Sequence, residues 1–108
     1  MQDEIIWQGR PSWMKFLGTH RVSIAKTSYF VTSRKVIRKD GLVAKKTTEI
    51  EINDIRNIQV RQSIAQRIFR IGDILMSSSA SNAWEVIFTS VKRPNEIKEL
   101  ISGQRIQG

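Results

Sequence analysis

The sequence predicts a mainly β fold: six or seven short antiparallel strands, bent into a sandwich or barrel and capped by one C-terminal α-helix. Three observations predict it. Between residues 5 and 89 apolar side chains recur mostly with period two, the strand period. Turn chemistry interrupts that alternation at Gly9-Arg10-Pro11-Ser12, Ser33-Arg34, Asp40-Gly41, Asn53-Asp54 and the run 77–82. After Pro94 the period changes, and Ile97, Leu100 and Ile101 fall at i, i+3, i+4 on one helical stripe.

Each element follows from its residues. Ile5 and Trp7 alternate with Ile6 and Gln8 in a short first strand. Residues 28–32, Ser-Tyr-Phe-Val-Thr, are rich in aromatic and β-branched side chains that suit a pleated surface. Ser33-Arg34 reads as a tight turn, with 35–39 as the returning strand. Asp40-Gly41 is the strongest hairpin signal, a two-residue turn with positive φ at both positions. The next strand is expected over about 42–52, with Ile50 and Ile52 facing in and Glu49 and Glu51 facing out. Residues 57–62 alternate again, and Ile64, Ile68 and Phe69 suggest one helical turn before a strand restarts at 71–77. The strand at 83–89 is expected to place Trp84, Val86 and Phe88 on one face. Pro94 suits a first helical turn, where its missing N–H costs nothing. Gly103 suits the residue just past a helix, giving a helix over about 94–102.

Composition bounds the class. The chain has 108 residues, 40% hydrophobic and 26% charged, which is one ordinary globular domain with its core over about 4–104. It has no cysteine, so it has no disulfide framework and no thiolate zinc site, and it fits a reducing, cytoplasmic setting. The start, Met1-Gln2-Asp3-Glu4, is acidic where a signal peptide is basic. No run approaches the roughly 18 apolar residues of a membrane span. Catalysis is not expected. His20 is the one histidine and reads as a loop residue, Glu49 and Glu51 as a solvated strand face, and Asp73 after Gly72 as turn chemistry. No phosphate-binding or dinucleotide-binding glycine motif occurs. No catalytic residue, metal site, cofactor or small-molecule substrate is inferred.

Four segments, in order, resemble one family: Trp7-Gln8-Gly9-Arg10-Pro11-Ser12; Tyr29-Phe30-Val31-Thr32-Ser33-Arg34-Lys35-Val36-Ile37-Arg38-Lys39-Asp40-Gly41; Asp54 to Ser63 with Arg67 to Ile74; and Val91, Pro94 and Ile97. They are similar to the bacterial pleckstrin-homology (PH)-like domains, in the branch often attached to membrane-spanning helices. The resemblance implies a PH-like bent β-sandwich or barrel closed by the C-terminal helix. It implies that fold and little about function. Members of that branch often carry two spans between the Arg-Pro-Ser segment and the Tyr-x-x-Thr strand, where this chain has only residues 13–27. Lys26 followed by Arg34-Lys35-Val36 does not complete the basic spacing of phosphoinositide-binding PH domains.

Charge supplies the partner expectation. Residues 10–48 hold ten basic side chains against Asp40 alone, a net +9, whereas residues 49–108 sum to +1. A field of this kind acts on partners rather than on fold, and an anionic membrane surface is the expected partner. The candidate anion- or lipid-binding residues are Arg34, Lys35, Arg38, Lys39, Lys45 and Lys46. Lys35 and Lys39 share one strand face and Arg38 points to the other. Trp13, Met14, Lys15, Phe16 and Leu17 form a candidate membrane-interface segment. Nucleic acid ranks below the membrane, because Tyr29, Phe30, Trp84 and Phe88 sit in core-like alternation and are not interleaved with the basic strands. The alternative is a soluble homo-oligomeric protein-interaction domain, joined through exposed strand edges.

Overall fold

The computed structural model describes residues 4–10, 27–41, 46–78 and 83–106. The candidate segment Trp13, Met14, Lys15, Phe16 and Leu17, and Lys45, lie outside the described residues. Among the described residues, seven antiparallel strands form two sheets. The first contains β1 (Ile5–Gly9), β2 (Thr27–Thr32), β3 (Lys35–Asp40) and β4 (Lys46–Glu51), in that spatial order. A 3-10 turn, Ile52–Asp54, leads into the second sheet, which holds β5 (Ile55–Arg61), β6 (Ile71–Ser78) and β7 (Val86–Lys92), also in order. A short helix α1 (Ile64–Ile68) joins β5 to β6, and α2 (Pro94–Ile106) ends the described chain. This is the mainly β, helix-capped plan that the sequence predicts.

The two sheets meet over one apolar core. Tyr29, Val31, Val36 and Ile50 face Ile74, Met76, Val86 and Phe88, and Ile97 and Ile101 of α2 cover the same cluster. Phe88 is stacked by Tyr29 at 4.7 Å and by Trp7 at 5.9 Å between ring centroids. Burying such rings supplies a large share of a small core's apolar area. The indole of Trp7 lies across Gly9, where a Cβ would come within 2.7 Å of it, so the first strand ends in a residue without a side chain.

Several expectations are corrected in detail. Asp40 does not sit in a two-residue turn; it is the last residue of β3 and pairs with Lys46. Its carboxylate explains this, because it is held from both sides by Thr27 Oγ1 at 2.9 Å and Arg38 Nε at 3.0 Å. Gly41 alone takes the positive φ, 102°. The last strand begins at Val86 rather than 83, since Glu85 turns back, its carboxylate accepting the Ser78 N–H and hydroxyl. Helix α2 runs through Gly103 to Ile106. One glycine costs a helix only about 1 kcal/mol relative to alanine, too little to end a helix anchored by Ile97 and Ile101. Leu100, expected in the buried stripe, is half-buried on the flank.

Candidate functional site

The basic hairpin of β2 and β3 is built as its alternation implies. Thr32 Oγ1 closes the turn by accepting the N–H groups of Arg34 at 3.2 Å and Lys35 at 2.8 Å. Strand parity then divides the cations. Lys35, Ile37 and Lys39 lie on the outer face, while Val36 and Arg38 point toward the core side.

The sheet divides the described candidate cations between its two faces. Arg34 and Lys46 are exposed. Lys35 reaches Glu49 at 3.4 Å across the β3–β4 pair. Lys39 lies 5.3 Å from the centre of the Phe30 ring, a cation–π arrangement. Arg38 turns inward. Its guanidinium pairs with Asp40 at 3.0 Å, donates Nη1–H to the Ile87 carbonyl at 2.7 Å and lies over the Tyr29 ring. An external phosphate at Arg38 would have to displace those partners. The arginine therefore fastens β3 to β7, a role that period-two reading could place on the inner face but could not partner.

A second cationic surface lies at the far end of the second sheet. Here α1 and the start of α2 meet, and Arg61, Arg67, Arg70, Lys92 and Arg93 are all exposed. Arg67, Arg70 and Arg93 line one open groove with Gln62, Asn95 and Glu96. Glu96 is 3.9 Å from Arg93 in a fully surface pair of little strength. The near-neutral sum over 49–108 conceals this cluster, because most of the balancing acids are either buried or at the opposite end of β6. Asp73 is buried beneath α1, accepting Gln66 Nε2–H and the Ser90 N–H. Glu49, Glu51, Asp54 and Glu85 line a groove with Lys35 and Ser78 at the opposite end of β6.

Tyr29 and Glu85, among the described residues, depart from their ordinary values. Burial pushes the Tyr29 phenol up to about 12, against the opposing pull of Arg38. The Glu85 carboxyl is held below the usual range by the Ser78 hydroxyl and N–H. Among the described residues, no three His, Cys, Asp or Glu side chains gather as metal ligands, and no helix is long and apolar enough to cross a membrane.

No curated protein and no solved structure is significantly similar to this chain. The family model for the bacterial PH domain matches residues 11–105, nearly the whole sequence, and the four-stranded and three-stranded sheets with their closing helix are consistent with a PH-like fold. The chain therefore belongs to the bacterial PH domain family.

Proposed function

We propose that this chain is a non-catalytic binding module that docks reversibly on an anionic membrane surface, such as the cytoplasmic leaflet. Domains of this family are in general non-catalytic modules. The observation that carries the membrane reading is the unbalanced charge of the surface. The chain has a net charge of +8, and among the described residues only three ion pairs form. Among the described residues the exposed Arg34, Lys46, Arg61, Arg67, Arg70 and Lys92 belong to none of these pairs and can face an external polyanion.

A basic side chain near an anionic bilayer contributes about 1 kcal/mol. Four or five engaged together give about 4–5 kcal/mol, close to millimolar affinity, so charge alone makes a weak and salt-sensitive contact. Exposed cations occur at both ends of the second sheet, with Arg34 near one end and Arg67 and Arg70 at the other, so charge alone does not select the face. Co-sedimentation with phosphatidylcholine vesicles, with and without phosphatidylserine, tests the reading. The protein should pellet only with the anionic vesicles and should release as salt rises. Equal binding to both kinds, or tighter binding to duplex DNA at matched salt, would overturn it.

A further inference from the structure

Helix α1 is amphipathic in the wrong sense for a globular protein. Its buried side chain is Gln66, 1% exposed, while Ile64 and Ile68, one turn apart on one face, are 84% and 70% exposed. Phe69, capping the helix C-terminus, is 51% exposed beside them. A surface helix ordinarily turns its apolar side inward.

The inversion is specified by sequence rather than left by poor packing. Ser63 and Gln66 form a reciprocal capping box, with Ser63 N–H donating to Gln66 Oε1 at 2.8 Å and Gln66 N–H to Ser63 Oγ at 3.1 Å. The Gln66 amide also donates to the buried Asp73, which fixes the helix with its glutamine inward. Gln62 Nε2 donates to the Ile71 carbonyl, and Arg93 N–H to the Arg70 carbonyl. The non-glycine residues with positive φ among the described residues, Arg70, Ser90 and Arg93, all belong to this end. Such backbone costs energy and tends to gather where function demands a shape.

We infer that Ile64, Ile68 and Phe69 form an insertion tip that enters the interfacial layer of an anionic bilayer, with Arg67, Arg70 and Arg93 engaging lipid phosphates around it. The inference rests on the membrane reading above and adds which end of the molecule faces the lipid. Charge complementarity selects this occupant. Arg61, Arg67, Arg70, Lys92 and Arg93 ring the apolar tip, so two copies meeting tip to tip would set these like charges against each other. An anionic bilayer accepts both the apolar tip and the cationic ring. The tip and the Arg34–Lys35 turn lie at opposite ends of the eight-residue strand β6, roughly 23 Å apart along it, so one flat surface does not engage both.

The chain contains no cysteine, so a single introduced thiol labels one place only. Ile68→Cys and, separately, Arg34→Cys are labelled with an environment-sensitive nitrobenzoxadiazole probe. Each is titrated with phosphatidylcholine vesicles with and without phosphatidylserine. The label at 68 should shift to the blue, brighten several-fold on the anionic vesicles and be quenched by bromine-bearing acyl chains, while the label at 34 should stay aqueous. The variant Ile64→Ser/Ile68→Ser/Phe69→Ser should keep its melting temperature and lose roughly 100-fold in vesicle affinity. Vesicle binding with the label at 34 inserted, or with the triple variant binding like wild type, overturns the tip and leaves the membrane reading standing. No vesicle binding by the wild type overturns both. A dimer in light scattering that the triple variant converts to monomer makes a second copy the occupant and overturns the tip as a lipid element.

Discussion

Tyr29 and Arg38 join the two sheets by hydrogen bonds to the backbone of β7. The Tyr29 hydroxyl donates to the Thr89 carbonyl at 3.0 Å and accepts the Thr89 N–H at 2.8 Å, fully buried. Tyr29→Phe keeps the ring stacked on Phe88 and strands both backbone groups. That should cost about 1–3 kcal/mol, and roughly 4–8 °C of melting temperature for each kcal/mol in a domain near this size. The same phenol predicts an alkaline limit. Its folded pKa, about 12, lies above the ordinary 10.0. The neutral form is therefore the stabilising one. Its contribution is complete below the unfolded value and is lost as pH rises from about 10 toward 12. Thermal melts followed by circular dichroism from neutral pH upward should show this loss in wild type and a weaker dependence in Tyr29→Phe. Parallel pH profiles in the two proteins would show that Tyr29 does not set the limit.

The elements differ in how firmly sequence specified them. In α2, Ile101 is fully buried and Leu100 only half-buried, so the two truncations should separate. Ile101→Ala should destabilise by about 2–5 kcal/mol, and Leu100→Ala by less than half as much. Equal losses in urea unfolding would mean that the helix is rotated on the sheets. The stripe of Ile97, Leu100 and Ile101 was legible because a helix must bury one side. The strands were legible for the same reason, Val36 and Ile50 alternating inward against outward Lys35 and Glu49. What escaped was decided by partners distant in sequence. Asp40 looked like a turn residue until Thr27 and Arg38 held it in β3. Arg38 looked like a surface cation until the Ile87 carbonyl claimed it. In α1, Ile64, Ile68 and Phe69 read as a helical turn, and they are one. Apolar residues in a helix are ordinarily expected to be buried, so their exposure followed only from the bond between Gln66 and Asp73. The capping pair Ser63 and Gln66 was the signal available in sequence that α1 is a built element.

At the scale of the whole molecule, the positive charge should make salt act in opposite directions on stability and on binding. A net charge of +8 on a body 36 × 32 × 27 Å across repels itself, which destabilises the compact state. Among the described residues three ion pairs form: Lys35–Glu49 and Arg93–Glu96 lie at the surface, and Arg38–Asp40 is part-buried, where salt screens it less. Exposed pairs contribute about 0–1 kcal/mol each. Relief of the general repulsion should therefore outweigh their loss as the screening length falls from about 30 Å at 0.01 M to about 8 Å at 0.15 M salt. Melting temperature should rise over that range, while affinity for phosphatidylserine vesicles falls. Arg67→Glu/Arg70→Glu, which lowers the net charge by four and leaves all three of these ion pairs intact, should flatten both dependences. A melting temperature that drops with added salt would show that the favourable pairs, and not the excess charge, dominate the electrostatics of the folded chain. A flattened melting curve with unchanged vesicle affinity would place the lipid contact away from the α1 end.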